Sequence, residues 1–407
     1  MHLLSLSLGA VLAFFIPPQL PPQPPARSPE QLAALLVRYD HASPDEQRTL
    51  EPQIDAMAGQ RYATVSRLFW YTELDEAKAA AHRLHRPILS LRMLGDLRED
   101  LSCANSRLFR ATLYANAQVA ALLRDQFVLY WSSERPVPKV TIDFGDGRKI
   151  IRTITGNSAH YVLDADGRVL DVLPGAYIPD VFRAELTRSL ALARKVAPLS
   201  AVARKRALIA YHRAAADEAA AQWQRNAPGA RYVENARYLQ DESDLARAQR
   251  ATVTKARMEV PALRTIGLLG PGDISPDEPW KWAAIGIKLW NLLPPAANHM
   301  PPQGVNLLDA PSRALVSRLR PTASEGPSLD SVLDSLQFHL VADSVVNELR
   351  LRPAIHRHLA ETGDTDFASV NDWIYAQVFG TPKSDPWLGL NARTDFTGLP
   401  GDGVVVP

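Results

Sequence analysis

One cysteine, Cys103, stands among 407 residues. That count excludes an internal disulfide, a dithiol redox pair and paired CxxC metal motifs. An excess of charge of one sign is also missing: 45 Lys and Arg against 44 Asp and Glu leave a net charge of +1. No block of like charge forms a nucleic-acid arm, so no broad field recruits nucleic acid or an anionic membrane. Gly-rich phosphate loops, G-x-S-x-G, H-E-x-x-H and haem-attachment motifs are absent. Asp143-Phe144-Gly145 echoes a kinase tripeptide without any of its companion motifs.

Proline is abundant instead, at 32 residues, and it clusters in connecting segments. Apolar residues make up 46% and charged residues 22%, the balance of a chain with ordinary buried cores. The length suits two or three domains. The apolar run Leu3–Ile16 reaches only about 21 Å as a helix, short of a hydrocarbon core of about 30 Å. It fits the hydrophobic region of a secretory signal. Only His2 and the α-amino group supply positive charge there, and no clear small-x-small cleavage site follows, so an uncleaved membrane tether is the other form of this expectation. Pro17 to Pro29 cannot enter a helix or sheet interior and reads as an extended spacer. Residues 1–28 are therefore expected to be signal or anchor plus spacer, placing the folded body outside the cytoplasm.

Residues 29–67 read as a helical preface of two short helices, Pro29–Tyr39 and Pro44–Met57. Apolar faces run through Leu32, Leu35, Leu36 and Tyr39, and through Leu50, Ile54 and Met57. A helix Glu73–His85 capped by Thr72 follows, ended by Arg86-Pro87. Ile88–Leu91 and Gln126–Trp131 read as buried strands flanking a helix Ser106–Leu123. Val140 to Ile154 reads as an inserted hairpin turning at Gly145 and Gly147. His160–Asp171 forms a second hairpin around Ala165-Asp166-Gly167, and Ile178–Val196 a closing helix. Residues 198–407 carry no strand pattern and read as an all-α region with a loop-rich tail. Its helices are expected at Ser200–Gln224, Ala230–Val260, Asp277–Leu292, Ser328–Leu351 and Asp366–Phe379, the first two as an antiparallel pair.

Cys103-Ala104-Asn105-Ser106 has the spacing of a dithiol site whose second thiol is a hydroxyl. Set between a strand and a helix, and followed by the two hairpins, it resembles the thioredoxin superfamily over about residues 68–195, within a domain expected at 68–197. The resemblance is to the secreted bacterial branch with helical inserts. It implies an α/β thioredoxin-like domain in which Cys103 sits at a helix N-terminus, where backbone amides favour a thiolate. It further implies Ser106 as a hydrogen-bond partner of the sulfur, Arg107 as an assisting cation, and Ser158 at the family's cis-proline position in the turn Gly156–His160. His160 stands either beside the thiol as a base or on the hairpin in solvent. Ser102 replaces the usual tryptophan, and the loop from Leu91 to Cys103 is long and charged. A lone thiol can form a mixed disulfide but needs an outside thiol to release it. The expectations are monothiol exchange with a protein disulfide or thiol partner, or a non-catalytic binding module that keeps the fold. Neither uses a cofactor.

His339 and Asp343 stand four apart on one helix, with His356 and His358 after Pro353. They either converge on an ion or face solvent and neighbouring helices, and no metal is assigned from the sequence. His82 and His85 belong to a basic, exposed helix face. Trp373, Tyr375, Phe379 and Trp387 concentrate aromatic surface near the end, as docking of the tail or a partner groove would require.

Overall fold

The structure, a computed structural model, describes residues 27–154, 156–226, 279–290, 306–320, 327–388 and 399. The apolar run, most of the proline spacer and the helix expected at 230–260 lie outside them. Among the described residues no helix is long and apolar enough to cross a membrane. The fold is mixed α/β, with a five-stranded sheet and a helical C-terminal region.

Two helices open it, α1 (Pro29–His41) and α2 (Pro44–Ala58). Ser28 and Ser43 cap them through their side chains, and each has a proline in its first turn, where no backbone donor is lost. Leu32, Leu36, Leu50 and Ile54 form a small core between them. Gly59, at φ 75°, ends α2, and a Cβ there would lie 2.9 Å from the Trp70 carbonyl oxygen. The short helix α3 (Ala63–Ser66) follows. Asp55 accepts from the Ala63 amide at 2.8 Å, and the Trp131 indole donates to the Gly59 carbonyl at 2.9 Å, so the preface is docked on the sheet.

The sheet contains β1 (Trp70–Tyr71), β2 (Ile88–Met93), β3 (Val128–Ser133), β6 (Ala159–Leu163) and β7 (Val169–Pro174), in the order β1-β3-β2-β6-β7. β3 runs parallel to both β1 and β2, whereas β6 is antiparallel to β2 and β7. Parallel neighbours need a long crossover. Here it carries α5 (Ala104–Leu108), a π-helical turn Phe109–Leu113 and α6 (Ala117–Gln126). The expected single helix Ser106–Leu123 is thus divided, and Asn116 caps its second half through the Val119 amide. Helix α4 (Leu74–Leu84) starts without a side-chain cap: Glu73 rather than Thr72 stands at the N-cap position, and the Thr72 hydroxyl accepts from Arg27. The inserted hairpin, β4 (Lys139–Asp143) and β5 (Lys149–Thr153), forms its own two-stranded sheet and leaves Phe144, Ile150 and Ile151 exposed.

After α7 (Pro179–Val196) come α8 (Ala201–Asn226), α9 (Pro279–Trp290), α10 (Ala310–Leu319) and α11 (Leu329–Val346). A π-helical turn Asn347–Leu351, α12 (Arg352–Thr362), α13 (Phe367–Trp373) and a last π-helical turn Ile374–Val378 complete the order. Helix α10 was not expected, although Asp309 caps it and Pro311 lies in its first turn. Helix α8 packs on α12. Sheet and C-terminal helices share one hydrophobic core, from Leu89 and Tyr161 to Leu340, Val345 and Leu359. Edge strand β7 is covered there: the Val169 amide donates to the Thr365 carbonyl at 2.9 Å, and the Asn347 amide group to Ala176 O at 2.6 Å.

Arg352 fastens this junction. Its guanidinium, 2% exposed, reaches Asp171 of β7 at 3.0 Å, Glu185 of α7 at 2.6 Å and Glu348 at 2.9 Å. Burial raises the Glu348 carboxyl to about 7, although Arg352 opposes the rise. A carboxyl raised on folding takes up a proton, so its contribution to stability falls as pH climbs from its ordinary range towards about 7. We expect Glu348→Gln to lessen that fall, seen by comparing urea midpoints of variant and parent at pH 5 and pH 8. Arg352→Met strands buried carboxylates and should cost about 3–5 kcal/mol in urea unfolding.

Candidate functional site

Cys103 occupies the N-cap position of α5, at the end of the loop that leaves β2. The loop is held from beneath by Arg110, on the first π-helical turn. Its guanidinium donates to Leu97 O at 2.9 Å, Glu99 O at 2.8 Å and Ser102 Oγ at 2.9 Å. Burial lowers the Arg110 guanidinium to about 10, which still leaves it charged at neutral pH. Thr153, at the base of the inserted hairpin, donates to Ser102 O at 3.0 Å and accepts from Arg107 at 3.0 Å. Arg107 therefore braces the hairpin against the loop.

Cys103 is fully buried, and its Sγ lies 3.2 Å from Ser158 Oγ. The Ser158 hydroxyl thus bonds the sulfur, and the described residues contain no cis peptide. Ser106 does not take the role expected of it. Its Oγ lies 2.7 Å from Ser102 Oγ and 2.8 Å from Cys103 O, because one turn of helix directs a residue three positions on towards the backbone carbonyl. Gly156 permits a close approach: a Cβ there would lie 3.2 Å from the Ala104 amide nitrogen and 3.3 Å from that of Asn105. Beside it, both polar side-chain atoms of Asn105 are buried without a hydrogen-bond partner.

His160 is neither a solvent-facing residue nor a hydrogen-bond partner of the thiol. It points into the core from β6, packs between Phe109 and Phe182, and lies 2.7 Å from the Tyr114 hydroxyl. Burial alone drives its imidazole down to about 3. Ring proton resonances of His160 should therefore stay in the neutral form when NMR spectra are followed from pH 8 to pH 5.

The outer side of the site is closed by the chain itself. Asn157 Nδ2 donates to Thr381 Oγ1 at 3.0 Å, and the Tyr375 hydroxyl donates to Asn157 O at 3.0 Å. Arg135 clasps the same segment through the carbonyls of Thr381, Pro382 and Asp385, at 2.7–3.1 Å. Thr381, Phe379 and Tyr375 are buried there. None of these contacts was expected individually, since they join positions more than 200 apart and no local spacing records them. The aromatic concentration was the one signal, and Tyr375 and Phe379 pack inside.

The histidines considered as a metal cluster are not gathered as the sequence suggested. His358 stacks on Trp373 with centroids 3.9 Å apart, and His339 Nδ1 lies 2.5 Å from Ser335 O. His356 instead meets His212 of α8, Nδ1 to Nδ1 at 2.9 Å, next to Asp171. Burial lowers the His212 imidazole to about 4 and that of His356 well below its ordinary value. Asp171 is held well below the usual carboxylate range despite its burial, chiefly by Arg352.

Comparison of the chain with protein-family models, with curated proteins and with solved structures gives no match in any of the three.

Proposed function

We propose that the chain is a thioredoxin-like protein acting outside the cytoplasm as a binding module, its thiol site shut by its own C-terminal segment. The thioredoxin-like reading is supported by β2 and β3 lying side by side, the loop from β2 ending at Cys103 on a helix N-cap, and the β6–β7 hairpin beside β2. Location outside the cytoplasm rests on the apolar run and proline spacer of the sequence.

The observation that carries the binding-module reading is the cover over Cys103. A partner disulfide must reach the sulfur in line and lie against the turn Gly156–His160 to be attacked. The sulfur is fully buried, and the turn's Asn157 is already bonded through its side chain and its carbonyl by Thr381 and Tyr375. An internal segment holds the place that an extended partner would take. Surfaces left for partners include the inserted hairpin, with Phe144, Ile150 and Ile151 exposed.

A second reading is favoured by Asn105. Two buried polar atoms without partners cost about 1–3 kcal/mol each, an expense a static structural site does not need. If the C-terminal segment withdraws from Asn157, Cys103 becomes a monothiol nucleophile. It would attack a partner disulfide, form one S–S bond, expel the partner's other sulfur as thiolate, and await an external thiol for release.

Alkylation of Cys103 decides between them. The binding-module reading expects labelling of the native protein only at the rate of global unfolding, with full labelling in denaturant. Thr381→Ala with Asn157→Ala should speed native labelling by loosening the cover. Rapid labelling of the unaltered native chain, together with trapped mixed disulfides, would replace the module by the exchange protein.

A further inference from the structure

We propose that Asp171, His212 and His356 form a binding site for one divalent transition-metal ion of zinc type, which locks α8 and α12 onto strand β7. The three residues come from three separate elements, and one ligand atom from each lies within 4.8 Å of the others. All three are buried. Two imidazole nitrogens and a carboxylate oxygen are the donor set that zinc takes readily, at about 2.0–2.2 Å from the ion.

Two features distinguish this group from polar residues that merely share a helix interface. The first is orientation. Asp171 Oδ2 accepts from Ser189 at 2.6 Å, Tyr211 at 2.9 Å and Arg352 at 3.0 Å, while Oδ1 accepts from the Val172 amide at 2.8 Å. A carboxylate oxygen carries two lone pairs, so Oδ1 keeps one for an ion while the surrounding donors fix its direction. The second is charge. Three carboxylates, Asp171, Glu185 and Glu348, converge on the single guanidinium of Arg352, with Arg188 touching Glu185 at 3.4 Å from the surface side. Three carboxylates face two guanidiniums, so with Glu348 ionised one acid is left over for a further cation to offset.

The histidine pair accommodates an ion by a proton shift and a turn of the two rings. In the Nδ1–Nδ1 contact one ring donates and the other accepts. On metal binding the donor ring moves its proton to Nε2, so both Nδ1 lone pairs face the ion and no oxidant or reductant is involved. Three protein donors leave a coordination position for a water molecule. The ion's work here is structural, because β7, α8 and α12 meet at this point and share one core.

The test uses the full chain, stripped with chelator and then supplied with Zn²⁺. Elemental analysis should find one equivalent retained after desalting, and the thermal midpoint should rise with Zn²⁺ but not with Mg²⁺. His212→Gln and His356→Gln should abolish retention, whereas His339→Gln and His358→Gln keep it. Tyr211→Phe, which removes a donor to Asp171, should weaken affinity about 10–100-fold. Should the ligand variants fail to fold, Co²⁺ added to the unaltered chain decides. Intense visible bands of a four- or five-coordinate site, displaced by Zn²⁺, support the proposal. No bound ion, a hexa-aquo-type spectrum, or retention unaffected by His212→Gln and His356→Gln overturns it. Cys103→Ser should leave binding unchanged, and a loss there would place the ion at the thiol instead.

Discussion

A single guanidinium surrounded by three carboxylates joins the two halves of this fold. Arg352 reaches the edge strand through Asp171, the closing helix through Glu185 and the preceding π-helical turn through Glu348. Taking such a group out of water costs several kcal/mol per ion, and only close, multiple contacts offset it. Alternative packings of α8 and α12 on the sheet would leave those charges unmatched. The cluster therefore acts as a registration pin: apolar contacts hold the layers together, and the ions fix where they meet.

The chain beyond this pin reaches the turn beside Cys103. With α12 pinned, the chain that follows runs across β6, where the Tyr161 hydroxyl donates to Asn371 at 2.9 Å, and then over the turn at Asn157. Arg135 holds its last described stretch by carbonyl oxygens alone. The Thr381 and Tyr375 side chains add contacts that depend on residue identity, and covalent attachment keeps the segment at high effective concentration.

Local patterns in the sequence foretold elements well where one residue type imposes one conformation. The runs at Ile88–Leu91 and Phe127–Trp131 gave neighbouring strands, and Gly145 and Gly147 marked the hairpin turn with their positive φ. Helix ends fell within a few residues because prolines and serines mark first turns. The division of the crossover helix was missed, although Asn116 was there to cap a new start. At the site, Cys103 at a helix N-cap and Ser158 beside it were legible, whereas the direction of the Ser106 hydroxyl and the burial of His160 depend on packing. Asp171, His212 and His356 could not be associated from sequence, since they lie 41 and 144 residues apart along the chain and only tertiary packing unites them.

The covering contact also imposes an order in time. Asn157 and the Phe379 carbonyl that it reaches are separated by 222 residues. At ordinary elongation rates the ribosome needs roughly 10–45 s to add that much chain. For that interval the turn at Asn157 stands without Thr381 and Tyr375, so this contact can close only after nearly the whole chain has been made.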